Sequence, residues 1–353
     1  MKEKTVKKTQ SKCSSCGGNL KFSPEDKALK CVFCNSCEKI EYDKNVQKHD
    51  FNAMVENTQA YAVFAQENKT FQCSNCGAKI LLNKLEISKN CPYCSSPCVM
   101  KKSEVSGLAP DAIIPFKFSG EQAAVMYKKA LKKKWFLPNK FKKSPPVDNI
   151  KGVYVPCFSF DANSSTSYRG VLSKTTSYTS NGKTRTKTTY QNISGDKNMT
   201  HKDVLIETSS HIDQVVFNSI KPFNTNELVV FKSSFLMGYS VEHYNQSLNN
   251  CKQIADNIMK QDIKNAILSQ YSYTNVESFS QTTNFSNQKY SYYILPTYQV
   301  SYEYKQKNYV TYMNGQTGTV GSGLPRSAVK ITFFVLFIIA IILGIIALVN
   351  FLG

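Results

Sequence analysis

Histidine is scarce in this sequence, and the few histidines are scattered. The 353-residue chain contains four of them, at positions 49, 201, 211 and 243. Their separations do not match the spacing of metal ligands, and none belongs to a recognisable Ser/His/Asp or Cys/His group. Because no set of residues meets the usual requirements for a catalytic site, we expect a protein that is not an enzyme.

A nucleotide-binding loop of the Walker type is also missing. Gly182-Lys183-Thr184 resembles the end of such a loop, but Ser177 stands where its first glycine is required. The glycine-rich residues 314–325 (NGQTGTVGSGLP) have no helix directly after them, which a phosphate-binding loop needs. We therefore interpret residues 314–325 as a structural turn.

The N-terminus has no apolar run. Residues 1–12 are polar and rich in lysine, so we expect no signal peptide. The chain nevertheless contains twelve cysteines, ten of which precede residue 99 in two clusters. Clustered CxxC pairs in a reducing compartment indicate metal binding rather than disulfide bonds.

Each cysteine cluster contains two CxxC pairs separated by fourteen residues, and the second cluster repeats the first at an offset of 60 residues. The candidate ligands are Cys13, Cys16, Cys31 and Cys34 in the first unit, and Cys73, Cys76, Cys91 and Cys94 in the second. Four thiolates at ~2.3 Å suit tetrahedral zinc. Gly17 and Gly77 follow a ligand directly, where a positive φ turns backbone N–H groups toward sulfur. The spacing therefore predicts two zinc ribbons on short β-hairpins, with one Zn²⁺ each.

Iron–sulfur and redox dithiol chemistry are the competing interpretations of these pairs, but neither explains a hairpin-sized insert that occurs twice. Cys37 and Cys98 follow the two units and are interpreted as spare thiols, with alternative ligands as the other possibility. Cys157 and Cys251 lie in apolar or helical surroundings and are expected to be buried. A closed four-thiolate site has no open position for water, so we expect no metal catalysis.

Residues 331–353 (ITFFVLFIIAIILGIIALVNFLG) contain no charged side chain. As a helix with ~1.5 Å rise per residue they would be about 34 Å long, enough to cross a hydrocarbon core of ~30 Å. Arg326 and Lys330 precede this segment, and no charge follows it. The positive-inside rule then predicts a single-pass tail anchor of the cell membrane, with the N-terminal bulk in the cytoplasm.

The remaining patterns predict an α+β fold between the ribbons and the membrane helix. The expected units are residues 1–37 (basic tail and first ribbon), 38–72 (linker), 73–100 (second ribbon), 101–326 (α+β cytoplasmic body) and 327–353 (transmembrane tail anchor). Strands are predicted over 110–118, 152–162, 291–304 and 308–313, and helices over 51–66 and 246–269. The inner stripe of the last helix is predicted to be Cys251, Ile254, Ile258, Ile263 and Ile267. Asn181-Gly182 predicts a type I′ hairpin.

A further helix, over residues 120–136, is predicted to be amphipathic and basic. Its apolar stripe is Ala123, Met126, Tyr127, Ala130 and Leu131. The lysines on its other side and just beyond it are Lys128, Lys129, Lys132, Lys133, Lys134, Lys140, Lys142 and Lys143. We interpret them as the solvated face of a helix packed on a sheet. Contact with anionic lipid or nucleic acid is the alternative.

Several short segments resemble a family of bacterial membrane-associated proteins with transcription-factor-IIB-type zinc ribbons, often labelled as relatives of the primosomal replication-restart helicase. Beside the paired CxxC units, they are IPF at 114–116, GVYVP at 152–156, KPF at 221–223, FLMGY at 235–239, LPTY at 295–298, MNGQTG at 313–318 and LP at 324–325. The resemblance implies a role beside envelope-stress or membrane-organising scaffold proteins. The chain has no Walker loop or helicase acidic motif, so only the zinc ligands carry over.

The net charge of +19 favours polyanionic partners, either nucleic acid or an anionic membrane face. The leading interpretation is a non-catalytic, membrane-anchored adaptor or scaffold that binds proteins at the membrane. The alternative is a nucleic-acid-binding zinc-ribbon protein related to replication or transcription, suggested by Lys2, Lys4, Lys7, Lys8 and Lys12. Aromatic residues that could stack on bases are few in the ribbons, namely Phe22, Phe33, Phe71 and Tyr93.

Overall fold

The fold was analysed in a computed structural model of the chain. The structure describes residues 12–52, 68–73, 75, 77–83, 91, 101–103, 108–143, 150–180, 182–209 and 212–352. The predictions outside these ranges concern the basic tail, most of the helix over 51–66, the candidate ligands Cys76 and Cys94, and Tyr93, Cys98, Asn181 and His211. The described part is a mixed α+β fold followed by an apolar helix, as the sequence predicts.

A small antiparallel sheet is formed by β1 (Leu20–Ser23), β2 (Ala28–Cys31) and β3 (Cys37–Lys39) in that order. Its inner side chains are too few to form a core of their own, so the sheet packs against the body. Phe22 meets the ring of Phe235 edge to face at 5.4 Å between centroids, and its N–H donates to the Met237 carbonyl at 2.9 Å. These contacts place the first cysteine unit on the surface of the body.

A second sheet has eleven strands and contains three very long ones. Its strands are β4 (His49–Asp50), β5 (Asn68–Gln72), β6 (Lys79–Asn83), β7 (Lys101–Ser103), β8 (Ala112–Ile113), β9 (Ile150–Ser180), β10 (Lys183–Glu207), β11 (Val229–Val230), β12 (Ser240–Glu242), β13 (Asn275–Tyr304) and β14 (Lys307–Asn314). The main path is β11-β8-β13-β9-β12-β6-β5-β7. Strand β10 pairs with β9, and both β14 and β4 pair with β13.

The centre of the large sheet is covered on both faces. Alternate residues of β9 enter two different cores, with Phe158 and Phe160 in one and Val155 and Cys157 in the other. The helices are α1 (Gly120–Lys133), α2 (Asn139–Lys143), α3 (Gln214–Ser219), α4 (Leu248–Leu268) and α5 (Ala328–Leu352). Buried residues of α1 and of the first half of α4 belong to the first core, and those of α3 belong to the second. Burial on both faces explains why this part of β9 is almost continuously apolar.

Beyond the covered centre, the long strands continue as a polar ribbon. The strands β9 and β13 have 31 and 30 residues, which is roughly 100 Å at ~3.3 Å per residue. Ser180 pairs with Lys183 at the end of the β9–β10 hairpin, and Gly182, directly before Lys183, has a φ of +68°. A small apolar cluster of Leu172, Ile193 and Leu268 lies at the boundary between the buried centre of the sheet and the exposed part of the strands. Past it, side chains on both faces are mostly exposed.

Helix α1 agrees with the sequence prediction and ends three residues earlier. Ser119 caps it, accepting a hydrogen bond from the Gln122 N–H while the Gln122 side chain accepts from the Ser119 N–H. Of the predicted stripe, Ala123, Tyr127 and Leu131 are buried, while Met126 and Ala130 are half-buried at the rim.

The buried stripe of α4 differs from the prediction. Cys251, Ile263 and Ile267 are buried as expected, but Ile254 and Ile258 are only half-buried. The positions between are taken by Ala255 and Met259, which are fully buried. The predicted stripe consists of the most apolar residues of the helix. The residues that are buried against the sheet instead recur at every fourth position, in a narrow row.

Three strand predictions differ in length from the structure, and the one over 152–162 covers only the first part of β9, which runs from Ile150 to Ser180. Within residues 110–118 only Ala112–Ile113 is a strand, because prolines at both ends interrupt pairing. The predicted strand over 291–304 is the second half of β13, which starts at Asn275. Residues 275–289 have no buried side chain, so hydrophobic periodicity gives no signal there. Within the predicted linker, β4 and β5 are strands of the large sheet.

Candidate metal centre and membrane helix

The first cysteine unit brings four thiols together. The sulfur atoms of Cys13, Cys16, Cys31 and Cys34 all lie within 4.8 Å of one another. Cys13 and Cys34 are 3.6 Å apart between sulfurs, and Cys16 and Cys31 are 3.4 Å apart. The first pair sits on a tight turn in which the Gly17 N–H donates to the Cys13 carbonyl at 2.9 Å. This cluster can hold a metal ion, and it contains the four predicted ligands of the unit.

Polar groups surround the sulfur atoms. The Ser15 N–H donates to Cys13 Sγ at 3.4 Å, and the Phe33 N–H donates to Cys31 Sγ at 3.5 Å. The Ser36 hydroxyl lies 3.0 Å from Cys13 Sγ, and this hydrogen bond lowers the pKa of the Cys13 thiol to about 6. The Gly18 N–H also favours the Cys16 thiolate, but the sulfurs of its neighbours outweigh it and raise the pKa of Cys16 to about 12. Four thiols this close cannot all ionise unless a cation lies between them.

The other described cysteines outside the two units do not take part. Cys37 is exposed in β3, and its thiol lies 3.7 Å from the Asn35 carbonyl, outside the cluster. Cys157 and Cys251 are fully buried in the body, as predicted. Burial raises the pKa of the Cys157 thiol well above its usual value and that of Cys251 to about 12. Thiols in such surroundings are unreactive.

The second cysteine unit is described only in part. Cys73 and Cys91 are both buried, whereas Cys76 and Cys94 lie outside the described residues. The Cys73 turn has the geometry of the Cys13 turn, because the Gly77 N–H donates to the Cys73 carbonyl at 2.9 Å. Gly77 has a φ of +75° and Gly17 has a φ of +72°. In the described ranges, one cluster of four thiols is present.

The segment NGQTG, interpreted above as a structural turn, is held by Asn314. The buried Asn314 amide donates to the carbonyls of Ile220 and Pro222 at 2.9 and 3.0 Å. Its oxygen accepts from the N–H groups of Gln316 and Thr317 at 2.8 and 3.0 Å. Because these two N–H groups point at Asn314, they are not directed toward a phosphate.

Helix α5 stands apart from the body. Residues Ala328–Val349 are long and apolar enough to cross a membrane, and the side chains from 331 to 349 are all exposed. Its base is fixed to the loop between α1 and α2. The Ser327 N–H donates to the Phe136 carbonyl at 2.8 Å, and the Lys330 ammonium donates to Asn139 Oδ1 at 2.6 Å and to the Leu137 carbonyl at 2.9 Å.

The sequence patterns did not identify Trp135 and Phe136 as candidate functional residues. Both are exposed, and both rings contact Phe334 in the second turn of α5, at 5.8 and 5.4 Å between centroids. Their signal in the sequence is an aromatic pair that directly follows the basic residues of α1. The role of this pair could not be predicted from the sequence, because the rings contact α5, which is almost 200 residues away along the chain.

No protein-family model matches the chain, and no solved structure matches it. The chain is similar to YdjG, an uncharacterised protein of Bacillus subtilis (strain 168). The two are 26% identical over 355 aligned residues, which cover 94% of this chain and 98% of the relative. The similarity therefore extends over almost the full length of both proteins.

Proposed function

We propose that this protein is a membrane-anchored zinc-ribbon adaptor that binds a partner protein on the cytoplasmic face and performs no catalysis. The observation that carries the proposal is the thiol cluster of the first unit, which presents an exposed aromatic residue beside its ligands. Phe33 lies between Cys31 and Cys34, and this residue is 73% exposed. The same chain carries a helix long enough to span a membrane.

Zinc is the ion that best suits this donor set. Four thiolates at ~2.3 Å from a tetrahedral centre would lie ~3.8 Å apart, close to the 3.4 and 3.6 Å between sulfurs here. Zinc would replace the thiol–thiol contacts and remove the repulsion between four thiolates. We extend the proposal to a second ion held by Cys73, Cys76, Cys91 and Cys94, because the Cys73 turn repeats the Cys13 turn. Sites closed by four protein ligands supply structure rather than a reactive water.

The orientation in the membrane follows from charge. Arg326 and Lys330 stand at the base of α5, and the part of the helix beyond them has no charged residue. We therefore place the body and the ribbons in the cytoplasm, by the positive-inside rule. Reduced thiols, which zinc binding requires, are stable in that compartment.

The partner surface is the exposed tip of the first ribbon. One side of the small sheet is used by Phe22 for packing on the body, while Val32 and Phe33 remain exposed on the turn beside the thiols. An exposed aromatic side chain held on a rigid, metal-stabilised turn loses little conformational entropy on binding. Removing Phe33 should therefore weaken partner binding without unfolding the ribbon.

The test is crosslinking in native membranes, followed by purification of the full-length protein with and without nuclease and identification by mass spectrometry. We expect defined proteins that survive nuclease, co-purify with the wild type and are lost in Phe33→Ala. Tyr190→Ala is the matched control, because Tyr190 is also an exposed aromatic residue, 70% exposed, but lies on the β9–β10 hairpin.

Two results would contradict the proposal. Equal recovery of every protein by the wild type, Phe33→Ala and a Cys13→Ser variant would show that the ribbon binds no partner. Recovery dominated by nucleic acid and its binding proteins, abolished by nuclease, would instead support the nucleic-acid interpretation.

A further inference from the structure

A groove lies where the body meets the base of α5. Its volume is about 860 Å³, and it opens to the surface between the end of α1 and the first turns of α5. Three of its lining residues are cationic, namely Lys133, Lys134 and Arg326. Its apolar wall includes Trp135, Phe136, Leu324, Ile331 and Phe334.

Among the residues that the structure describes, no carboxylate neutralises the cations of the groove. Within the described ranges, none of Lys133, Lys134 and Arg326 forms an ion pair with a carboxylate. Lys330 differs from them because its ammonium is already bound by the carbonyls of Trp135 and Leu137. Close to the groove, burial and, secondarily, the charge of Lys330 lower the pKa of the Lys142 ammonium. An anion would relieve that repulsion.

The depth of the groove relative to the bilayer follows from α5. Trp135 shares a second cavity with Phe333, Phe334 and Phe337. Phe337 is seven residues past Lys330, which is about 10 Å along the helix axis. If Lys330 stands at the membrane surface, the indole of Trp135 lies between the headgroups and the acyl chains. Tryptophan is enriched at that depth.

We infer that this groove is a binding site for an anionic phospholipid of the membrane that α5 enters. Lys133, Lys134 and Arg326 hold the headgroup phosphate, and the acyl chains lie along Trp135, Ile331 and Phe334. This inference rests on the membrane anchoring proposed above and adds a lipid ligand and its residues. Nucleic acid would use the same charges, but it would not use an apolar wall that continues into a transmembrane helix.

The test uses Trp135, the single tryptophan of the chain, as a fluorescent reporter. The full-length protein is reconstituted in vesicles of phosphatidylcholine with a minor fraction of phosphatidylglycerol. Bromine, which quenches tryptophan on contact, is placed either on the anionic lipid or on an equal amount of the zwitterionic lipid. We expect brominated phosphatidylglycerol to quench Trp135 at least about twofold more strongly, because cationic side chains enrich anionic lipid around them.

Charge-neutral variants assign the preference to the groove. In the triple variant Lys133→Gln, Lys134→Gln, Arg326→Gln, the two brominated lipids should quench equally. The matched control neutralises two lysines and an arginine that are exposed on the β9–β10 hairpin, namely Lys183→Gln, Arg185→Gln, Lys187→Gln, and should keep the wild-type preference.

The outcomes separate this inference from the anchoring proposal. Wild-type protein that floats with the vesicles but shows equal quenching by both lipids overturns the lipid site and leaves the anchor intact. Protein that does not float overturns both. Equal quenching combined with a Trp135 emission change on adding an oligonucleotide, absent in the triple variant, would assign the groove to nucleic acid and overturn the lipid site.

Discussion

At the scale of single residues, the cysteines show how position decides the role of a thiol. Cys13 and Cys37 are both close to the thiol cluster in sequence, yet only Cys13 has its sulfur inside it. Cys13 follows a bridge between Lys12 and Asn19 that closes the turn. Cys37 begins β3 and points to the carbonyl of Asn35.

Because only one of these two cysteines belongs to the cluster, we predict that their substitution has different effects on the metal content. Cys13→Ser should reduce bound zinc by about one ion per chain, because a structural site that loses one of four thiolates loses most of its affinity. Cys37→Ser is the matched control and should keep the wild-type content. Inductively coupled plasma mass spectrometry of the purified protein measures both. An equal loss in the two variants, or no loss in Cys13→Ser, would contradict the assignment.

Glu207 is a buried acidic residue that no sequence pattern indicated. Burial, together with the nearby Glu242, raises the pKa of its carboxyl from 4.5 to about 8, although the Ser209 N–H donates to it at 2.7 Å. The folded state therefore binds a proton that the unfolded state releases. The stability contributed by this proton is present below pH ~4.5 and is lost as the pH rises toward 8.

Replacing Glu207 with glutamine should remove that pH dependence. The amide has nearly the same shape and stays neutral, so Glu207→Gln should be more stable than the wild type at pH 8, by on the order of a few kcal/mol, and similar to it at pH 4.5. Denaturant unfolding of both proteins at several pH values measures the difference, in which the titration of all other groups cancels. If the free energies of unfolding of the two proteins changed with pH in the same way, Glu207 would be ionised in the folded protein at neutral pH.

At the scale of elements, we expect the outer part of the β9–β10 hairpin to be dispensable for folding. Removing residues 174–189 and joining Ser173 to Tyr190 through an Asn-Gly turn should change the free energy of unfolding by less than about 1 kcal/mol, because the side chains removed are nearly all exposed. Leu172→Ala, just inside the apolar cluster, should cost about 2–5 kcal/mol. Thermal unfolding measures both. A large loss of stability on shortening would mean that the β9–β10 hairpin stabilises the body.

The same hairpin shows the limit of periodicity. A strand is visible in a sequence when one face is buried, as in residues 152–162, or when both are, because apolar side chains then recur in a pattern. Residues 163–180 and 275–288 keep strand conformation through pairing among β9, β10 and β13. Their one buried apolar side chain is that of Leu172, so no apolar pattern marks them and the sequence could not predict the length of these strands.

At the scale of the whole molecule, α5 is joined to the body through a few contacts at its base. Ending the chain after Ser327 should therefore leave the body folded, with its metal bound, and release it from the membrane into the soluble fraction after an alkaline wash. The full-length protein should resist that wash, and so should the hairpin-shortened variant, which controls for deletion as such. Retention of the truncated chain in the washed membrane would show that α5 is not the anchor.

The sequence by itself determined the features that depend on local spacing. Paired cysteines fourteen residues apart, a continuous apolar run and the apolar stripe of α1 each reflect a single element or a single metal site, so their physics is contained in neighbouring residues. For the same reason the four candidate ligands of the first unit could be named, and the described cluster contains them.

Tertiary structure alone decided what depends on residues that are distant along the chain. The groove lies between the end of α1 and the base of α5, which are joined by the hydrogen bond between Ser327 and Phe136, and burial together with the nearby Glu242 raises the pKa of Glu207. The narrow buried row of α4 was likewise selected by the sheet beneath it. Such properties arise from packing between elements, and no local pattern in the sequence encodes which elements will meet.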